Sequence, residues 1–350
     1  MKSRLILAIL VAWLGSATLW AGSTPSPALL VLAKQDHTLE IVDPVTLKVV
    51  GKIPAGNDPH EVIASPDGKQ AYISNYGYGT FNTISVADLV TQKALPLINL
   101  GPLHGPHGLA FAGGELYFTA EVNKVFGRIN PATWEIDWVL GTGQDRTHMI
   151  EVSSDLTRIY TSNVNSGTIS IIEKTADGSG TPPPPPGATR RPGPPRGPQG
   201  WKETVIQTGM GTEGFDVSPD GKELWSAASQ GGTVSIIDVA AKKLIQTLHA
   251  QVTRANRLKF TPDGKYVFVS MLAGNGDDVA IFDAATRQEV KRLRIGHGAG
   301  GILMQPDGSR AYVACAPDNY VAVVDLKTLK VTGRINTDRG PDGMAWAVRK

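Results

Sequence analysis

Seven positions offer the side chains from which a binding or reactive centre can be assembled: His60, His107, His148, Glu213, Asn256, Gly300 and Asp342. Six of them stand seven residues before an equivalent point of a recurring turn, and Asp342 takes the same place in a seventh copy near the C-terminus. Histidine and carboxylate together suit zinc, copper, iron or nickel. Three protein ligands with an open fourth position is the arrangement of a catalytic zinc. His60, His107, His148 and Glu213 are therefore a candidate set for a divalent transition metal. Without a metal the same residues can hold an organic ligand. They can also act in proton transfer, a histidine as general base and Glu213 as acid or base. Arg146, Arg254 and Arg339 lie two or three residues ahead of these positions, where a guanidinium can clamp a carboxylate or phosphate.

The familiar catalytic signatures are absent. There is no G-x-S-x-G, no H-E-x-x-H, no phosphate-binding loop and no paired-cysteine metal motif. A C-x-x-C-H site for covalent haem is also missing. Gly209 to Gly214 matches G-x-G-x-x-G, but without a βαβ context that pattern carries no meaning.

The spacing of the seven positions reflects an internal repeat. The turn Ser65-Pro66-Asp67-Gly68 recurs at Ser218 to Gly221, Thr261 to Gly264 and Gln305 to Gly308, with weaker copies at Ala112 to Gly114 and Ser153 to Asp155. Proline presets the first φ of such a turn, and Asp-Gly tolerates φ > 0. An aromatic follows each turn and opens a short apolar run: Tyr72, Tyr117, Tyr160, Trp225, Phe268 and Tyr312. A second alternating run comes next and ends in a polar or acidic residue, at Thr38 to Asp43, Thr83 to Asp88, Val125 to Asn130, Thr168 to Glu173, Thr233 to Asp238, Val279 to Asp283 and Val321 to Asp325.

Seven copies of about 44 residues are the size of a four-stranded propeller blade. The expected fold is all-β: a single seven-bladed β-propeller spanning 28–350. Ala28 to Ala33, Thr38 to Asp43 and Lys48 to Ile53 supply three strands of the last blade, and Gly343 to Val348 supplies its first. Both termini thus close the ring in one blade and leave no open edge. On this topology the seven positions ring one mouth of the central channel. His37, His104, His249 and His297 fall in loops on the same face.

Tyr72-Ile73-Ser74-Asn75 and Tyr160-Thr161-Ser162-Asn163, each after such a turn, resemble the motif of the YVTN family of β-propeller repeat proteins. Tyr312-Val313-Ala314-Cys315 and Tyr117-Phe118-Thr119-Ala120 keep the aromatic and lose the Asn. The resemblance implies the fold and says little of function, because propellers bind, catalyse and scaffold alike. A weaker similarity extends to the haem-binding propeller of nitrite reductase, which uses channel histidines. Cys315, the single cysteine, reads as a small buried hydrophobe, with copper ligation as the alternative.

Residues 1–21 read as a secretory signal: Lys2 and Arg4, an apolar run from Leu5 to Leu14, then small residues to Ala21. The run is short of the ~20 residues that a spanning helix needs, so no membrane span is expected after its removal. A periplasmic or secreted protein follows. Residues 178–200, rich in Pro, Gly and Arg, form an insertion between the third and fourth strands of one blade, either a tolerated loop or a docking segment for a proline-recognising partner.

The formal charge of +2 belongs to these two segments. Without Lys2, Arg4, Arg190, Arg191 and Arg196 the body holds 29 basic against 32 acidic residues, which argues against nucleic acid as a partner.

The expected function is an exported binding protein, a monomer, that holds a metal, cofactor or small ligand, or docks a protein partner, on the histidine face. The alternatives are a lactonase-like hydrolase or a lyase using the same residues, and a scaffold that acts through the insertion.

Overall fold

The computed structural model describes residues 23–175, 200–272 and 278–350. Residues 1–21, read above as a secretory signal, lie outside them, as do residues 178–200, read as an insertion, except for Gly200. Among the described residues twenty-eight strands form seven four-stranded antiparallel sheets arranged as a propeller. The innermost strands are Pro59–Ala64, Pro106–Ala112, Thr147–Val152, Thr212–Val217, Ala255–Phe260, Ala299–Met304 and Pro341–Ala347, which open blades 1 to 7 in that order. Blade 7 is built from both ends of the chain. Its strand Ala28–Ala33 pairs with Pro341–Ala347, Leu30 opposite Ala345, and continues through Thr38–Asp43 and Lys48–Pro54.

The Pro-Asp-Gly turns do the work expected of them. Ser65 Oγ donates to Asp67 Oδ1 at 2.6 Å, the Lys69 amide donates to the same oxygen, and Gly68 takes φ 68°. Gly221, Gly264 and Gly308 repeat this left-handed conformation, which a β-carbon would strain.

The hydrophobic core is divided. Each of seven clusters fills one blade-to-blade interface among the described residues. The aromatic after each turn anchors its cluster. Tyr72 meets Phe111 of the next blade at 5.7 Å, Trp225 meets Phe260 at 5.8 Å, and Tyr312 meets Trp346 at 5.6 Å. The Asn of the resembled motif ties strands within a blade, since Asn75 Nδ2 donates to Thr83 Oγ1 and Ser85 Oγ.

Cys315 fills the equivalent place in blade 6 as a fully buried hydrophobe. Burial, aided by Asp318 and Asp278, pushes its thiol up to about 12. A thiol reagent is expected to leave the folded protein unmodified and to react only in denaturant. Rapid labelling of the native protein in an absorbance assay would contradict this burial.

Candidate functional site

The ring residues sit where they do because each innermost strand carries a bulge. In blade 1 Pro59 lies opposite Asn75, yet Val62 lies opposite Ile73, so one strand has an extra residue. The same shift occurs in blades 2 to 6. A bulge breaks the alternation of side chains and turns two consecutive residues toward the axis. In blade 5 both Asn256 and Arg257 face the channel mouth, and in blade 1 His60 lines it while Glu61 reaches across.

Hydroxyls of the second strands then fix the ring. Thr119 Oγ1 accepts from the Gly108 amide and donates to the His148 carbonyl of the next blade at 2.7 Å. Ser162 does the same for the Glu213 carbonyl at 2.7 Å, and Ser270 for Gly300 at 2.6 Å.

The mouth is a cavity of about 640 Å³. His60, His107, Glu213, Asn256, Gly300 and Asp342 all line it, as does Arg146. His148 differs from expectation: it lies beneath the surface, 1% exposed, with its ring 3.7 Å from that of His107. Arg254 is exposed on a blade-to-blade loop and does not line the cavity, and Arg339 pairs with Asp36 at the surface. Of the four loop histidines only His37 lines the mouth.

A second repeat position, the one that follows each second strand, contributes further residues. Tyr76, Glu121, Leu272, Ala316 and Lys34 occupy it. Four of these line the mouth, and Glu121 stands behind it. Tyr76, Leu272 and Ala316 stand nine residues after the turn Asp, whereas Glu121 follows a shortened turn and Lys34 has no turn Asp before it. Their chemistry is mixed, so a search for histidine and carboxylate passes over them.

Two networks result. In the first, His148 lies between Glu121 at Nδ1 and Glu213, 3.3 Å from Nε2. Tyr76 Oη donates to Glu121 Oε2 at 2.6 Å, Arg146 Nε donates to the same oxygen at 3.2 Å, and Asn256 Nδ2 donates to Glu213 Oε2 at 3.2 Å. Burial opposes a proton on His148, but the two carboxylates outweigh it and hold its pKa above the ordinary histidine value. Burial also pushes Glu213 up, yet the neighbouring His148, with Arg257 and Arg146, brings it down to about 2. In the second network Lys34 Nζ stands 2.7 Å from His60 Nε2 and 3.1 Å from Asp342 Oδ2. An ammonium only donates, so His60 Nε2 accepts and Nδ1 carries the proton, 3.2 Å from the Asp58 carbonyl.

His107 is the contrasting case. Burial, reinforced by the charges of His148, His60, Arg257 and Arg146, holds it well below the usual histidine value, and its buried Nδ1 has no partner. It is a neutral ring at neutral pH. His60, Tyr76 and His107 pack with ring centroids 4.8–5.2 Å apart, and Tyr78, 83% exposed at the rim, extends this aromatic wall. The stacking leaves the three histidines side by side rather than convergent. Among the described residues no group of three His, Cys, Asp or Glu side chains is placed to hold a metal ion.

Arg257 of blade 5, which also lines the mouth, crosses to Glu61 of blade 1, donating from Nη2 to Oε1 in a largely buried ion pair.

No family model matches the sequence, and no curated protein matches it. Solved structures do. Hydrazine synthase of Kuenenia stuttgartiensis is 20% identical over 82% of this chain and 89% of that one, with a TM-score of 0.65. A candidate 6-phosphogluconolactonase from Bacteroides uniformis is 17% identical over 92% and 99%, with a TM-score of 0.70. Dihydro-heme d1 dehydrogenase NirN, in complex with DHE, is 15% identical over 92% and 75%, with a TM-score of 0.60. At such identities the likeness is one of fold, and the chain shares the β-propeller of these proteins.

Proposed function

We propose that the chain is an exported β-propeller binding protein that holds a small ring-bearing ligand in the mouth of its channel. One observation carries this reading. The cavity of about 640 Å³ sets an aromatic wall of Tyr78, Tyr76, His60 and His107 beside fixed polar groups on Arg146, Glu213, Asn256 and Asp342. Small-molecule sites have this size and this pairing of flat apolar faces with a few oriented polar atoms. The basic start and short apolar run of residues 2–14 support export, and the aromatic-x-x-Asn motifs support membership of the YVTN repeat family.

A hydrolase or lyase acting on a lactone is the second reading. It is favoured by the neutral state of His107, which a general base needs. One of the structural neighbours is a candidate lactonase.

A thermal-shift and calorimetric panel of sugars, lactones, aromatic acids and aromatic amines separates the two. A ligand at 100 times its Kd stabilises a protein by about 2.7 kcal/mol. At least one class is expected to raise the melting temperature of the wild type and to lose that effect in Tyr78→Ala, whose exposed side chain contributes little to folding. No shift from any class would sink the binding reading. Lactone turnover that disappears in His107→Ala would replace it with the enzymatic one.

A further inference from the structure

The ring has one gap. Blades 1, 2, 4, 5 and 7 place a ring side chain at the mouth, blade 3 sets His148 beneath it, and blade 6 places Gly300. A β-carbon there would stand 3.3 Å from Asp342 Oδ1 and 3.6 Å from Asn256 Oδ1, with Leu272 the next nearest group. Both oxygens are oriented by what their other atoms do. Asp342 gives its Oδ2 to Lys34. Asn256 gives its amide nitrogen to Glu213, a carboxylate that can only accept, so the Asn256 oxygen must face the notch. The notch is therefore lined by two acceptors, one of them ionised.

The charge around it points the same way. Lys34, Arg146, Arg257 and a protonated His148 make four cations, and Asp58, Glu61, Glu121, Glu213 and Asp342 make five anions. Even with His148 charged, the network is one cation short. In the seven-membered ring, blade 6 lies across from blades 2 and 3, so the notch faces the His107 side of the mouth. A ligand held at the notch by a donor presents its body to flat, neutral aromatic rings.

Resting on the binding reading above, we propose that the ligand is a primary ammonium carried on a short arm from a flat ring, an arylalkylamine. Its N–H groups donate to Asp342 Oδ1 and Asn256 Oδ1 in the Gly300 notch. Its ring lies against His107, His60 and Tyr78, where aromatic faces also favour a nearby cation. A lysine side chain of a protein partner carries the same head group without the flat body.

Calorimetry on the mature full chain tests this with benzylamine, 2-phenylethylamine and 3-phenylpropylamine. The arms beside them are 2-phenylethanol, 3-phenylpropionate and the amide of Nα-acetyl-lysine. One amine is expected to bind at least tenfold more tightly than the alcohol and the lysine derivative, with no binding of the carboxylate. Gly300→Ala fills the notch and is expected to weaken the amine tenfold or more and to narrow its lead over the alcohol. Asp342→Asn is expected to erase the preference for amine over alcohol. Should Gly300→Ala fold poorly, the Asp342→Asn comparison carries the test alone.

If the alcohol or the carboxylate binds as tightly as the amines, the ammonium inference falls and the binding reading stands. If the lysine derivative binds as well as the best amine, the head group is right and the flat body is not, which overturns the arylalkylamine. If none of the amines binds while another class in the wider panel does, the inference falls alone.

Discussion

Replacing Arg257 by methionine is expected to cost the fold about 3–5 kcal/mol, and adding Glu61→Leu is expected to recover most of that loss. The guanidinium is 7% exposed and the Glu61 side chain 14%, and the pair spans the channel between blades 1 and 5. Burial opposes the charge on Arg257, but Glu61, Asp342 and Glu213 outweigh it and raise its pKa. Removing the arginine alone leaves Glu61 in the channel with its strongest partner gone, and Glu213 and Asp342 lose a compensating charge. Two apolar side chains remove the penalty from both sides, because desolvation of a buried pair consumes most of its attraction. Urea unfolding of the wild type, the single variant and the double variant measures it. If the double variant is no more stable than Arg257→Met, the pair does not behave as a buried bridge.

The second large effect is a pH dependence on the turn side of blades 3 and 4. Glu151 of blade 3 lies beside Asp216 of blade 4, which accepts from Lys259 Nζ of blade 5 at 2.7 Å. Burial first, then the Asp216 charge, push Glu151 up to about 7, against the opposing effects of Lys259 and the Val217 amide. A carboxyl raised on folding keeps a proton that the unfolded chain gives up. Its contribution is fully present below the unfolded value near 4.5 and is lost as pH rises toward 7. At about 1.4 kcal/mol per pKa unit the loss reaches about 3 kcal/mol above pH 7.

Glu151→Gln keeps the shape and removes the titration, so it is expected to be the more stable protein at pH 8 and to match the wild type near pH 4.5. His107, held low, and His148, held high, are common to both proteins, and the difference cancels them. Urea midpoints of the pair from pH 4.5 to 8 check this. A gap that does not widen across that range would show that Glu151 ionises freely in the fold.

Much of this molecule is written locally. Turn signals at near-constant spacing mark the blades, and period-two alternation marks the strands between them. The first ring can be found by counting back from the turn Asp, and six of its seven positions do line the mouth. Tyr76 is within reach of the same counting, nine residues the other way, but Glu121 follows a shortened turn and Lys34 follows none, so counting does not find them. Arg254 stands two residues before Asn256 in the sequence. It lies on an exposed loop because the chain enters the strand there from solvent.

What the sequence by itself determined is the repeat, the strand order and which positions gather at one end of the channel. These follow from turn chemistry and side-chain alternation, which act over a few residues. What only the tertiary structure decided is how the gathered groups meet. Alternation would point Glu61 and Arg257 away from the axis, next to His60 and Asn256 as they are, and the bulges turn them inward. Their bridge joins residues 196 positions apart and exists only because the ring closes. The same closure stacks His107 over His148, leaving one neutral and the other held between carboxylates. Charge state and reach depend on burial and on partners across the channel, and no pattern within a single blade records either.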